Sequence, residues 1–369
     1  MVRALGIDPG TKSMDLCGLE DGKVVFERSL ETVEVAENPE ILIEAIGEFE
    51  ADLIAAPSGY GVEVRRLDSI PLERLEDWYY TYILMTSREE IEKAVEKGFV
   101  GANIYRAMAR TIVEMRRRNL PAVFIPGVVN LPTVPLHRKL NKVDMGTADK
   151  MAVTVLAVYD QSRRLKLNYG EVSLVLVEMG FGYNAVISVE GGRIVDGFGG
   201  TTMLGPGFLT MGYADQEVVQ LAKNWEKADI FVGGCASIAG VSSLEEFVEE
   251  RDGKARVAWE AMFEGVEKAV AASPVKPREI LLSGRLTRFR EVRKELEDRL
   301  SKYAEVRKLG TLEGAKITKE TAQGYAVVAD GLAGGKFSDL IDWMRIREAK
   351  GTCYDYIFHP KVPKPAVEF

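Results

Sequence analysis

Two stretches of the chain, 170 positions apart, repeat one arrangement. Val2–Asp8 is an apolar run ending in a carboxylate, and Ser13–Leu19 and Lys23–Leu30 follow as strand candidates joined through Glu20-Asp21-Gly22, an Asp-Gly hairpin signal. Val172–Glu178, Ala185–Glu190 and Arg193–Phe198 repeat the pattern, with Gly191-Gly192 at the second turn. In both copies a glycine stands two positions after the carboxylate (Gly10 after Asp8, Gly180 after Glu178), and the hairpin glycine stands fourteen after it (Gly22, Gly192). Matching offsets over two meanders predict a duplicated domain.

Helix and strand patterns alternate after each meander. In the first half, Pro39–Phe49 is amphipathic and Asp52–Ala56 is a short apolar strand. Ser87–Arg118 reads as one long helix opened by a capping box, Ser87 with Glu90. Its methionines and aromatics at helical spacing over Val95–Met115 read as core. Ala122–Ile125 is a further strand, leading into a proline-rich loop, Pro126–Pro135. In the second half, helices are predicted over Asp215–Asn224, Leu244–Glu250, Lys254–Ala272, Arg288–Ser301 and Glu320–Leu332, with strands at Glu279–Ser283 and Ala304–Leu309. A meander followed by βαβ units, twice, is a two-domain α/β architecture.

Composition agrees. A chain of 369 residues with 46% hydrophobic and 28% charged residues has material for two cores and is not a disordered polymer. A net charge of −8 argues against a nucleic-acid partner. Cys17, Cys235 and Cys353 are too far apart for a disulfide framework and read as small buried hydrophobes. With two histidines, a His-rich metal site is excluded. No targeting or membrane-spanning segment is evident, so a cytoplasmic location and no membrane partner are expected.

The glycine turns are where chemistry is expected. In Asp8-Pro9-Gly10-Thr11-Lys12-Ser13 a carboxylate meets a tight turn with two hydroxyls and a lysine. Glycine lets backbone N–H groups approach phosphate oxygens, Thr11 and Ser13 add hydroxyls, and Lys12 adds a charge. Asp8 would repel phosphate directly, so its fitting role is to hold Mg²⁺ through water. Glu178-Met179-Gly180-Phe181-Gly182-Tyr183-Asn184 has the same logic without a lysine. Two such turns facing across a cleft would hold a polyphosphate from both sides. Ser283-Gly284-Arg285, where a strand enters a helix, fits the ribose or α-phosphate side of a nucleotide.

Together with a glycine-rich connection at Gln323-Gly324, these residues resemble the actin, sugar-kinase and heat-shock-chaperone ATPase superfamily. Asn141-Lys142-Val143-Asp144-Met145-Gly146-Thr147-Ala148-Asp149-Lys150 looks like the interdomain connection of an archaeal branch described as predicted butyrate kinases. The resemblance implies duplicated ribonuclease-H-like domains flanking a nucleotide cleft. The first covers 1–145, completed by C-terminal helices at about 335–369, and the second covers 146–334. It implies ATP and Mg²⁺ as cofactors, with Gly10, Thr11, Ser13, Glu178, Gly180, Gly182, Asn184, Ser283, Gly284 and Arg285 binding nucleotide and Asp8 and Glu178 serving the metal. Glu178 departs from the usual Asp, FGYN from the common Gly-Gly-Thr, and Arg285 from a frequent second glycine.

The acceptor is expected near the basic loop that carries His137, Arg138, Lys139 and Lys142; His137, Arg138 and Lys142 are its candidate residues. A short-chain carboxylate is already a nucleophile, whereas a sugar-like hydroxyl would need a base. Asp8, Lys12, Asp144 and Asp149 are the catalytic candidates, although Asp144 and Asp149 equally suit helix capping and the helix dipole. The segment Thr201–Gly207 is a candidate closing loop, and a homodimer stays open. The expected activity is a small-molecule kinase acting on a short carboxylate such as butyrate. A hydroxyl kinase and a non-kinase ATPase switch binding a protein partner are the alternatives. A nuclease with the GIDPGT start would need a basic groove, and an iron–sulfur activator would need closely spaced cysteines.

Overall fold

The computed structural model describes residues 1–250 and 252–369. Each half builds one mixed sheet. In the first, β1 (Arg3–Pro9), β2 (Ser13–Glu20), β3 (Lys23–Glu31), β4 (Leu53–Ala55), β5 (Arg65–Arg66) and β6 (Ala122–Phe124) lie in the order β3-β2-β1-β4-β6-β5. In the second, β7 (Leu174–Met179), β8 (Asn184–Glu190), β9 (Arg193–Phe198), β10 (Glu279–Ser283) and β11 (Glu305–Lys308) lie in the order β11-β10-β7-β8-β9. Both meanders are antiparallel. β4 joins β1 in parallel, as β10 joins β7. The register even breaks at equivalent places, at Gly18/Leu19 and at Ser188/Val189, each beginning ten residues after the carboxylate. The duplicated α/β architecture read from glycine spacing is therefore the observed one.

Two compact units result. One holds residues 1–143, 147–159 and 311–369; the other holds 144–146 and 160–310. The family resemblance implies 146–334 as the second domain, and the difference has a physical cause. The helix Glu320–Leu332 is buried along almost its whole length and packs on β1, because Gly6 lacks the Cβ that would stand 2.2 Å from the Ala326 nitrogen. The first turns of the helix Ala148–Leu165 belong to the same unit; a Cβ on Gly324 would lie 2.3 Å from the Ala152 carbonyl.

The first core gathers Leu5, Ile7, Met14 and Phe124 around Trp78, Tyr79 and Tyr80; the second gathers Val175, Val177 and Leu282 around Phe247, Trp259 and Phe263. The predicted helix 87–118 is two helices, Arg88–Glu96 and Val100–Arg117, because Gly98 turns the chain at φ +81°. The capping box at Ser87 and Glu90 is formed. All three cysteines are buried free thiols. The C-terminal tail packs on its own unit: Phe369 stacks on Trp78 at 5.8 Å, under the Arg65 guanidinium at 4.0 Å. Among the described residues, no helix is long and apolar enough to cross a membrane.

Candidate functional site

In the first unit, antiparallel pairing sets Asp8 directly opposite Asp15, and both carboxylates are buried. Burial pushes the Asp8 carboxyl above its ordinary value, while the Lys319 ammonium pulls the other way. Lys319 stands 2.7 Å from Asp8 Oδ2 and 3.8 Å from Asp15 Oδ2, and donates to the Ser13 carbonyl at 3.1 Å. Its backbone N–H donates to Asp15 Oδ2 at 3.1 Å, and Ser29 Oγ donates to Asp15 Oδ1 at 2.7 Å. The turn itself is tied down by Thr32, whose N–H donates to the Lys12 carbonyl and whose hydroxyl donates to the Gly10 carbonyl. Thr11 is half-buried, Lys12 exposed and Ser13 buried. A Cβ on Gly10 would meet Lys319 Nζ at 2.4 Å, so glycine here makes room for the ammonium inside the turn.

No local signal in the sequence marks Lys319. It lies 304 residues from Asp15, and only the pairing of the helix Glu320–Leu332 with β1 brings it there.

Asp149 belongs to the same unit and is close enough to Asp8 to raise its carboxyl further. Burial works against Asp149's own charge, but Lys150 at 2.7 Å and the Thr147 hydroxyl outweigh it and hold the carboxyl below its ordinary value. Burial, with the charges of Asp149 and Asp8, pushes the buried Tyr325 phenol well above its ordinary value, against the pull of the Ser58 backbone. The turn after β4 completes this end of the sheet: Ser58 Oγ accepts from the Ile125 N–H at 3.0 Å, and the Gly59 carbonyl accepts from the Ala148 N–H at 2.9 Å.

Asp144 has a different place. Its Oδ1 accepts from the Gly146 N–H at 3.1 Å, and its Oδ2 accepts from the Thr201 N–H at 3.0 Å and the Thr201 hydroxyl at 3.3 Å. It clamps the Gly199–Thr202 loop of the second unit, where a Cβ on Gly199 would collide with its carboxylate. It is therefore not the helix N-cap. Its clamp also pins the start of the Thr201–Gly207 segment read as a closing loop.

In the second unit, Glu178, one residue before the end of β7, lies beside Ser283 at the end of β10, the two paired in parallel register. Both are buried. Gly284 takes φ +95°, and a Cβ there would stand 2.3 Å from the Met179 carbonyl. The second turn closes through the Gly180 N–H donating to the Tyr183 carbonyl at 2.8 Å, and the Gly182 carbonyl accepts from Leu209 and Thr210. Asn184 donates to the Pro206 carbonyl at 3.3 Å, but its Oδ1 and the Ser283 hydroxyl are buried without partners. Orphaned polar atoms at the edge of the sheet where the parallel strands β7 and β10 finish are what a ligand-binding crevice presents. Arg285 is half-buried in the one-turn helix Arg285–Arg288 that follows.

The basic loop does not converge. His137 is exposed, Lys142 donates to the Arg138 carbonyl at 2.8 Å, and Arg138 is half-buried. Lys139 is buried, donates to the Leu131 carbonyl at 2.7 Å and lies 4.7 Å from the Tyr356 ring centroid. Burial pulls its ammonium down to about 8.

Among the described residues, no group of three or more His, Cys, Asp or Glu forms a metal cage. Mg²⁺ does not require one: it is commonly held by one or two carboxylates with water and phosphate oxygens. Asp8, opposite Asp15 at a strand end with a cation already drawn to it, fits such a hard ion.

Residues 6–359 match the profile of a family described as "Protein of unknown function (DUF1464)". No curated protein matches the chain. A propionate kinase from Francisella tularensis subsp. tularensis SCHU S4 is similar in structure, with a TM-score of 0.56 and 13% identity over 88% of this chain and 98% of that one. Acetate kinase from Entamoeba histolytica gives 0.51 and 11% over 81% and 86%, and Porphyromonas gingivalis acetate kinase 0.50 and 14% over 88% and 98%. At such identities the likeness is one of fold. The chain therefore belongs to the DUF1464 family, and its two mixed sheets have the fold seen in acetate and propionate kinases.

Proposed function

We propose that this protein is an ATP- and Mg²⁺-dependent small-molecule kinase that phosphorylates a short-chain carboxylate, butyrate being the first candidate. The observation that carries the reading is the Asp8 turn: a buried carboxylate at a strand end, opposed by a second one and met by a lysine, next to a glycine turn with hydroxyls. The likeness in fold to acetate and propionate kinases supports the reaction class.

In this reading Asp8 holds Mg²⁺ through water, and Gly10, Thr11, Lys12 and Ser13 contact phosphate. On the second unit, Glu178, Gly180, Gly182 and Asn184 are the residues proposed for phosphate, and Glu178 is also proposed for the metal. Ser283, Gly284 and Arg285 serve the nucleoside side. Bound Mg²⁺ would neutralise charge on the transferring phosphoryl group. Ser283 and Asn184 supply buried polar atoms that a nucleotide would satisfy.

A carboxylate acceptor needs no base; Lys150 and Lys319 offset the negative charge it would meet around Asp8 and Asp149. A hydroxyl acceptor is the second reading, favoured by Asp149, an ionised carboxylate near Asp8. Asp144 is set aside as its base because both its oxygens are committed, one to the Gly146 N–H and the other to Thr201.

The test is ADP release from Mg-ATP across short carboxylates and polyols, with hydroxylamine present and Asp8→Ala as the blank. Hydroxamate formed with particular carboxylates supports the acyl kinase. ADP release stimulated only by a polyol moves the assignment to a hydroxyl kinase. ADP release indifferent to every acceptor contradicts both.

A further inference from the structure

We propose that Lys319 is a built-in counter-cation for the Asp8 turn: its ammonium holds the place of a divalent metal, so that the metal is admitted with the nucleotide rather than alone. The proposal rests on the nucleotide reading above.

Asp8 and Asp15 face each other across an antiparallel pair, 3% and 1% exposed. Like charges at directly opposed positions destabilise a sheet, and burial makes each carboxylate costlier. The free chain thus needs a cation at this spot, and Lys319 supplies it, 2.7 Å from Asp8 and 3.8 Å from Asp15.

The placement is built rather than incidental. Glu27 on β3 accepts from the N–H groups of Lys316 at 2.9 Å, Ile317 at 3.2 Å and Thr318 at 2.9 Å, and from the Thr318 hydroxyl at 2.5 Å. That carboxylate grips the three residues ahead of Lys319, and the Lys319 N–H is itself held by Asp15. The ammonium is therefore delivered from a fixed backbone, and Gly10 leaves it space within the turn.

One ammonium against two carboxylates leaves a net negative charge. A divalent ion would neutralise the pair more fully, but it must first displace a buried, geometrically fixed ion pair. Phosphate oxygens arriving with the metal change that balance. They add ligands for the ion and give the displaced ammonium a new anionic partner in the same turn. Metal and nucleotide binding are then coupled through Lys319, reciprocally for both ligands.

The experiment measures Mn²⁺ binding by electron paramagnetic resonance in wild type, Lys319→Met and Lys319→Met/Asp8→Asn, first without nucleotide. Wild type is expected to bind Mn²⁺ at least ten-fold more tightly with ADP than without. Lys319→Met is expected to gain at least ten-fold in nucleotide-free Mn²⁺ affinity and to lose that gain in the double variant. Equal nucleotide-free affinity in wild type and Lys319→Met overturns the proposal. Should Lys319→Met not fold, Lys319→Gln, which keeps a donor without the charge, is read by the same criterion. Binding of trinitrophenyl-ADP to wild type in EDTA is measured alongside. Its absence overturns the nucleotide reading, whereas intact nucleotide binding with unchanged Mn²⁺ affinity in the variant overturns the lysine assignment alone.

Discussion

At the residue scale, buried Asp8 faces Asp15 across the sheet and holds the Lys319 ammonium at 2.7 Å. Asp8→Ala removes the group assigned to the metal but leaves Asp15 as a partner for Lys319. Turnover with Mg-ATP is expected to fall by about 10²-fold or more while far-ultraviolet circular dichroism is unchanged. A variant with wild-type turnover contradicts the assignment. Lys139 carries a separate prediction, in pH. Its ammonium titrates near 8 when folded and at its ordinary 10.5 when unfolded, so between these values the unfolded chain holds more protons and this group adds stability as pH rises. Urea unfolding of wild type and Lys139→Met should therefore diverge in favour of wild type by on the order of 2 kcal/mol between pH 7 and pH 10. An identical gap at both pH values contradicts a buried, charged Lys139. Asp8, Gly10 and Ser13 were legible because they are contiguous; Lys319 and Asp15 were not, because only strand register and a helix 300 residues on bring them to Asp8. Asp144 and Asp149 show the reverse: five positions apart in sequence, they belong to different units, one a loop clamp and one beside Asp8.

At the scale of elements, the meanders were readable down to their turns, since alternating apolar residues and hairpin glycines are local signals. The helix predicted over 87–118 failed at Gly98 because a helical face can continue in phase across a one-residue reversal. The short helices Thr32–Glu37 and Leu72–Trp78 were missed, being too brief for periodicity to register. The connection between β10 and the one-turn helix after it yields a sharp prediction. Gly284→Ala places a methyl 2.3 Å from the Met179 carbonyl at φ +95°. It should cost about 2–4 kcal/mol, read as lost hydrogen-exchange protection in β7 and β10 with β1–β6 unaffected. Retained protection in β10 would mean that the turn relaxes without strain.

At the scale of the whole molecule, the repeat fixed two α/β halves but not which helices complete which sheet. Helix membership depends on packing between segments far apart in sequence, and the glycines that allow it, Gly6 and Gly324, look unremarkable in the chain. Because 311–369 completes the first unit, truncation after Gly310 uncovers β1 and removes Lys319. Hydrogen exchange should then show β1–β6 unprotected while β7–β11 keep their protection, and an intact first sheet in the truncated chain contradicts the division.

Phosphoryl transfer from ATP to a carboxylate would be seen in ³¹P nuclear magnetic resonance of wild type with Mg-ATP and butyrate. An acyl-phosphate resonance that grows with ADP and is absent with Asp8→Ala is expected. ATP left intact, or hydrolysed to inorganic phosphate at the same rate with and without each carboxylate tried, would contradict it.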